Sequence, residues 1–211
     1  MLKVLIVDDH ALLRSGVIKI LEEHYNDIKF GEASCASETF EIIIKQKWDI
    51  IILDINMPGR NGLEVIKELK RMNHNLPILI LSMYHEDEFA LRVFKDGADG
   101  YLMKDSVPEK LVNAIDQILD GKKYISPEAA ELLTRDFENV SKKNPIESLS
   151  DREFEVMSLI ASGKTVSQIA EELSLSVKTI STYRTHILEK LKLKNNAEIM
   201  RYVIDNKVGS E

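Results

Sequence analysis

Five short apolar runs, at 3–7, 29–33, 50–53, 78–81 and 100–103, alternate with amphipathic stretches at 11–24, 36–47, 61–72, 86–97 and 106–120. No other feature of this 211-residue chain constrains its fold as tightly. A single strand followed by a helix cannot bury its own apolar surface. Five such units in succession predict a doubly wound parallel sheet with helices on both faces. The run Ile50, Ile51, Ile52, Leu53 has no polar alternation, as expected of a strand covered on both sides. Capping boxes are predicted at Asn61 with Glu64 and at Ser106 with Glu109, where Pro108 occupies the first turn. Gly97 and Gly121 stand where helix C-caps belong.

Past residue 121 the pattern changes. Residues 122–148 read as a partly helical linker, with Ser126-Pro127-Glu128 opening a short helix through Arg135 and a polar, strand-free stretch after it. From 149 to 207 there are four helical segments and no strand, starting at Ser150, Thr165, Ser176 and near Asn195. Helices at 166–173 and 177–191 are joined by Ser174-Leu175-Ser176, the spacing of a helix-turn-helix. At about 100° per residue, Val177, Ile180, Ile187, Leu188 and Leu191 share an apolar face. Lys178, Ser181, Thr182 and Thr185 lie opposite, with His186 beside them. Short hydroxyls near a helix N-terminus, flanked by bases, suit a reader of the DNA major groove. Arg184 projects toward the apolar side and must extend to the rim to meet a phosphate.

Charge divides the chain the same way. The net charge of −7 is carried by residues 1–121, with 14 bases and 21 acids, whereas 122–211 holds 14 of each. Within the second half, 176–201 has six bases (Lys178, Arg184, Lys190, Lys192, Lys194, Arg201) against Glu189 and Glu198. An acidic front and a basic end imply two tasks, one of them beside a polyanion. The apolar runs are too short for a membrane helix, and MLKVLIVDDH lacks a signal peptide's cleavage region. Cys35 is the one cysteine and cannot form an internal disulfide, so a cytoplasmic setting is expected. The five histidines show no zinc-like spacing.

Ligands of parallel α/β sheets bind beyond the carboxyl ends of the strands. Here the first strand ends in Asp8-Asp9, the third in Asp54 and the fourth in Ser82, and Lys104 follows the fifth. All strands run the same way, so these ends converge on one rim. Clustered carboxylates repel, and a hard divalent cation, best Mg2+, resolves the repulsion. A lysine and a hydroxyl nearby suit the oxygens of a phosphoryl group. Each element alone has an ordinary reading as a helix cap, a solvated lysine or a strand-end serine. Their joint occurrence on successive strands singles out the rim.

On these residues, 1–121 resembles the receiver domain of two-component response regulators, a flavodoxin-like fold, through VDD (7–9), LDINMPGRNG (53–62), LS (81–82) and YLMKD (101–105). The resemblance implies that Asp54 accepts a phosphoryl group from a sensor histidine kinase. Asp9, Asp54 and the backbone carbonyl of Asn56 would hold Mg2+, with Asp8 helping through water. Lys104 would pair with the phosphoryl group and Ser82 would hydrogen-bond it, while Pro58 and Gly62 match the loop after the acceptor. Tyr101 would be the switch aromatic, turning inward and altering the face formed by the fourth helix, fifth strand and fifth helix. A competing reading is a haloacid-dehalogenase-type phosphatase, which needs a second Asp where this chain has Asn56. Met83 departs from the smaller residue that receivers often carry after the Ser82 position.

The terminal segment resembles the LuxR-type helix-turn-helix through L-S-x-R-E-x-E-V (149–156), I-A-x-x-L (169–173), S-V-K-T-I (176–180) and K-L (190–191). The implied DNA contacts are Lys178, Thr179, Ser181, Thr182, Tyr183, Arg184, Thr185 and Lys192, with Tyr183 standing where that family often has histidine. A last helix at 196–205, bearing Ile199, Tyr202 and Val203, would make a dimer contact, for which core packing is an equally good account. The whole resembles a NarL/FixJ-type response regulator: a DNA-binding transcription factor that catalyses only its own Mg2+-dependent phosphorylation and dephosphorylation. The partners implied are a sensor kinase, double-stranded DNA in inverted repeats and a second copy of the chain, with RNA polymerase a further candidate and no membrane. A protein-binding adaptor is the remaining alternative.

Overall fold

The computed structural model describes residues 1–57, 62–72, 75–83, 86–126, 129–130 and 145–205. The chain forms two compact units, Met1–Ala130 and Glu131–Glu211. The first contains β1 (Leu2–Val7), α1 (Ala11–His24), β2 (Ile28–Ala33), α2 (Ala36–Lys45), β3 (Ile50–Asp54), α3 (Gly62–Met72), β4 (Ile78–Ser82), α4 (Glu86–Lys95), β5 (Gly100–Met103) and α5 (Val107–Leu119). Its sheet has the order β2-β1-β3-β4-β5, and every pairing is parallel. The predicted doubly wound sheet is the one observed. From β1 the chain crosses outward to β2, and from β3 it crosses the other way. The crevice where the order reverses therefore opens above the carboxyl ends of β1 and β3.

Every residue of β3 and β4 is buried, because helices cover both faces of the sheet. On one face Val4, Ile6, Ile50, Ile52, Leu79, Leu81 and Leu102 pack with Val17 and Leu21 of α1 and with Leu111, Ala114, Ile115 and Ile118 of α5. The leucines and isoleucines of α5 each contribute about 1.5–3 kcal/mol of burial energy, which anchors that helix to the sheet. Gly97 and Gly121 adopt positive φ, 107° and 78°, as predicted for C-caps. Ser106 does not act as predicted. A 3₁₀ turn, Lys104–Ser106, runs straight into α5, so Ser106 has helical backbone angles and its hydroxyl makes no cap bond. Beyond residue 121 the chain stays attached: the Tyr124 N–H donates to the Asp99 carbonyl. The predicted cap at Asn61, the loop residue Pro58, most of the predicted short helix and residues 136–144 of the polar stretch lie outside the described residues, while Pro145–Ser148 form a 3₁₀ turn.

The second unit contains α6 (Asp151–Ala161), α7 (Val166–Glu172), α8 (Val177–Leu191) and α9 (Asn196–Asp205). The predicted starts are caps in fact. Ser150 with Glu153 and Thr165 with Gln168 form reciprocal capping boxes, the Ser176 hydroxyl accepts from the Thr179 N–H, and Asn195 accepts from the Glu198 N–H. The turn between α7 and α8 carries Ser174 at φ 53°. The core joins Phe154, Met157 and Ile160 of α6 to Ile169, Ile180, Ile187, Leu191, Ile199 and Val203. Val177, expected on the apolar face, is instead 51% exposed. Burial of α8 begins only at Ile180, because its first turn stands clear of the core.

Glu153 is buried in α6 beneath the recognition segment. Its carboxylate takes the Lys190 ammonium at 2.6 Å and the Ser150 N–H at 2.7 Å, with His186 Nδ1 at 3.4 Å. Burial alone would raise this carboxyl's pKa, but the donors Lys190 and Ser150 outweigh it and hold the value below the ordinary range. A depressed carboxylate adds stability at pH values above its unfolded pKa, about 4.3, and that stability is lost as pH falls through the lower folded value. Glu153→Gln is therefore expected to cost about 1–2 kcal/mol at neutral pH and to flatten the acid limb. Amide hydrogen exchange resolved on α6 and α8 measures this within the second unit alone. Equal protection in wild type and variant between pH 7 and pH 4 would refute it.

Candidate functional site

The first cluster sits at the switch point. Asp54, the last residue of β3, and Asp8, just beyond β1, are both buried, because each lies at the end of a strand covered on its two faces. Lys104 arrives from the end of β5, only 7% exposed, and its ammonium donates to Asp54 Oδ2 at 2.8 Å. It also stands 2.8 Å from Asp8 Oδ2, an ion contact without hydrogen-bond alignment that leaves this oxygen with no aligned donor. The other oxygens are used locally: the Asn56 N–H donates to Asp54 Oδ1 at 2.9 Å, and the His10 N–H donates to Asp8 Oδ1 at 2.7 Å. Arg14 of α1 holds the main chain beneath the cluster by donating to the Asp8 carbonyl at 2.7 Å. Asp9 is more open to solvent.

Burial pushes the Asp54 carboxyl above the ordinary range; Lys104 opposes the shift and Asp8 adds to it by repulsion. Burial works to lower the Lys104 ammonium, yet its contacts with Asp54 and Asp8 prevail and raise its pKa. One lysine thus stands between two buried carboxylates, and one donor atom from each of Asp8, Asp9, His10 and Asp54 lies within 4.8 Å of the others. The three carboxylates gathered at this spacing repel one another, and their hard oxygens fit a divalent cation.

Ser82, at the end of β4, is buried beside the cluster's strand, and Met83 after it is exposed. Strand β4 pairs with β3 so that Leu81 lies opposite Asp54. The Tyr101 ring is 1% exposed, so in this structure it packs inward. Gly62 opens α3, and a Cβ there would come within 2.7 Å of the main chain of Ile55, so this close approach admits only glycine. Sequence reasoning brought Asp8, Asp9, Asp54, Ser82 and Lys104 to one rim, placed Tyr101 on the strand before Lys104, and did not anticipate the His10 imidazole, 2.8 Å from Asp9 Oδ1. Its adjacency to the Asp8-Asp9 tip was the available signal.

The second cluster is the exposed side of α8. Lys178, Ser181, Thr182, Thr185 and Lys192 are exposed, and Tyr183 is half-buried. Thr182 donates to the Lys178 carbonyl and Thr185 to the Ser181 carbonyl, each at 3.0 Å, which leaves their hydroxyl oxygens facing outward as acceptors. Thr179 is tied into the cap, its hydroxyl 2.7 Å from that of Ser176. Arg184 is half-buried, and its Nε donates to Asn196 Oδ1, joining α8 to α9. Lys190 is held by Glu153 and by the Ser148 carbonyl, and Lys192 closes α8 in a left-handed conformation, φ 57°. Among the described residues no helix is long and apolar enough to cross a membrane.

Comparison with known proteins assigns both clusters to one architecture. Residues 4–116 match the response regulator receiver domain, and residues 147–203 match the bacterial regulatory proteins of the luxR family. The chain is 36% identical over 200 residues to the response regulator GacA of Pseudomonas aeruginosa, with 94% of each chain covered. It is 34% identical to the response regulator UvrY of Escherichia coli, over 97% of this chain and 94% of that one. Among solved structures it resembles RcsB from Salmonella enterica serovar Typhimurium bound to promoter rprA in the presence of phosphomimetic BeF3-. That likeness covers 96% of this chain and 98% of RcsB, at 27% identity and a TM-score of 0.63. A receiver sheet with its acidic rim, followed by a luxR-family helix-turn-helix, makes this chain a two-component response regulator of the NarL/FixJ type, with a DNA-binding domain at its C-terminal end.

Proposed function

We propose that Asp54 is the phosphoacceptor and that its phosphorylation by a sensor histidine kinase switches the binding of α8 to promoter DNA. The observation that carries this reading is the buried Asp54 carboxylate, bonded to Lys104 and gathered with Asp8 and Asp9 at one strand-end rim. An Asp54 carboxylate oxygen attacks the phosphorus of the donor's phosphohistidine. The P–O bond forms as the P–N bond breaks, and the electron pair leaves with the imidazole. Lys104 stays beside the transferred group and neutralises charge on its oxygens, while Ser82 donates its hydroxyl to one of them. Asp8, Asp9, Asp54 and the Asn56 carbonyl would hold Mg2+, which supplies charge stabilisation at the phosphoryl oxygens when bound. Ser82 and the inward-packed Tyr101 lie on adjacent strands, so a shift of Ser82 toward the phosphoryl group is passed to the β5 side of the sheet.

At the other end, Lys178 and Lys192 contact phosphates, and Ser181, Thr182 and Thr185 face base edges. Tyr183 adds a hydroxyl at the rim of this face. The Arg184–Asn196 bond supports a positioning role for Arg184, and the Thr179–Ser176 contact does the same for Thr179. Two copies would read an inverted repeat with half-sites about one helical turn apart. That RcsB has been described as dimers bound to DNA supports this arrangement.

The test is fluorescence anisotropy of the full-length protein on an operator selected from random DNA, with and without acetyl phosphate. Phosphorylation is expected to tighten binding at least about tenfold, a coupling in the usual 1–3 kcal/mol range. Lys178→Ala should weaken binding to every sequence and reduce the salt slope by about 1. Ser181→Ala should instead change base preference by about 1–3 kcal/mol at one position. Equal affinity in both phosphorylation states, or no binding at low salt, refutes the switch.

A further inference from the structure

His186 stands on α8 one residue past Thr185 and one turn past Thr182, at the edge of the exposed face. Its side chain is half exposed, and its Nδ1 lies 3.4 Å from Oε1 of the buried Glu153. Burial acts to raise the Glu153 carboxyl, yet Lys190 and the Ser150 N–H hold it below the ordinary range, so it is ionised at neutral pH. With Nδ1 turned to this carboxylate, Nε2 is directed away from it. On its own helix Glu189 and Lys190 follow His186 at the next turn. Lys190 is engaged with Glu153 and with the Ser148 carbonyl of the 3₁₀ turn. Charges on the helices around α8 are held elsewhere: Arg152 of α6 by Glu155, Glu172 of α7 by Lys164, and Glu198 of α9 by the Lys194 N–H and Asn195.

We propose that His186 contacts a DNA phosphate as an imidazolium, bridging it to the Glu153 carboxylate, so that each subunit takes up a proton when it binds DNA. The inference rests on the reading of α8 as the DNA-facing helix. A neutral imidazole carries one N–H and one lone pair. With the proton on Nδ1, the Nε2 lone pair faces the phosphate; with the proton on Nε2, the Nδ1 lone pair faces Glu153. Either tautomer sets a lone pair against an anion. Only the doubly protonated ring donates to both sides, and two flanking anions favour its positive charge. In free protein only the Glu153 anion is present, and histidine is the side chain whose charge changes closest to neutral pH. Glu153 is already ionised and has no proton to give, so the second proton comes from solvent. Affinity for DNA therefore rises as pH falls through the neutral range.

The experiment uses the full-length protein on its selected operator at fixed ionic strength, between pH 6 and pH 8, where DNA phosphates do not titrate. Calorimetry in phosphate and in Tris, whose ionisation enthalpies differ, counts the protons taken up. Wild type should bind about tenfold more tightly at pH 6 than at pH 8, with net proton uptake. His186→Gln should lose the uptake and the pH dependence, and bind about as wild type does at pH 8. His186→Arg carries a fixed charge and should bind at either pH about as tightly as wild type at pH 6. A merely structural role would weaken both variants without moving the proton count. Wild-type affinity independent of pH, uptake that survives in His186→Gln, or His186→Arg binding no tighter than His186→Gln overturns the role of His186. The DNA-facing reading of α8 stands in those cases if Lys178→Ala still weakens binding. If wild type fails to bind at low salt, that reading falls, and the role of His186 with it.

Discussion

Replacing Asp54 with asparagine is expected to reduce phosphoryl incorporation at least about a hundredfold, with either a phosphorylated kinase or acetyl phosphate as donor. The amide is isosteric, can still accept from the Asn56 N–H and still fills a buried position, so the loss reports chemistry and not unfolding. What disappears is the anionic oxygen that attacks phosphorus. Removal of divalent ions with a chelator should act in the same direction, because three gathered carboxylates repel an incoming phosphoryl group unless a cation offsets them. The label on wild type should be stable in acid and labile in base, as an acyl phosphate is. If Asp54→Asn labels as well as wild type, the phosphoacceptor is another residue. Sustained turnover of a phosphorylated small molecule would favour the phosphatase alternative.

Substituting Lys104 with methionine should destabilise the first unit by about 3 kcal/mol in the absence of divalent ions. The side chain is almost fully buried, and its ammonium is 2.8 Å from both Asp8 and Asp54. Methionine fills the volume but leaves two buried carboxylates facing each other without a counter-charge. Added Mg2+ should restore part of the loss, and restore more in the variant than in wild type, since the ion no longer competes with a resident ammonium. Trp48 is the one tryptophan of the chain and is buried in this unit, so urea unfolding followed by its fluorescence reads this unit alone. A variant as stable as wild type in chelator would show that the carboxylates are not held by Lys104.

The receiver sheet was legible because its signals are local and periodic. Runs such as Ile50 to Leu53 and the glycines at 97 and 121 specify strands and helix ends through burial and backbone geometry that neighbouring residues alone dictate. The caps at Ser150, Thr165 and Ser176 were legible for the same reason: each is satisfied within three residues. Ser106 misled because a capping box is a pattern of residue types, whereas its use depends on the backbone angle with which the chain enters the helix. Here the 3₁₀ turn from Lys104 sets that angle. Val177 misled because helical periodicity shows which residues share a face but not how far along the helix the core extends.

What the sequence alone determined was the order of elements, the parallel sheet, the helix-turn-helix and the membership of Asp8, Asp54, Ser82 and Lys104 in one strand-end rim. Parallel strands make that convergence a matter of topology, so no distance was needed to see it. Tertiary structure alone decided how charge is divided within the rim: Lys104 buried between Asp8 and Asp54, and Asp9 toward solvent beside the exposed imidazole of His10. It also decided that Arg184 and Lys190, bases by composition, are held by Asn196 and Glu153. The physical reason is the same in each case. Periodicity and capping are set over a few residues of chain, whereas electrostatic partnership falls steeply with distance and joins residues 12 to 50 positions apart, which only the folded chain brings together.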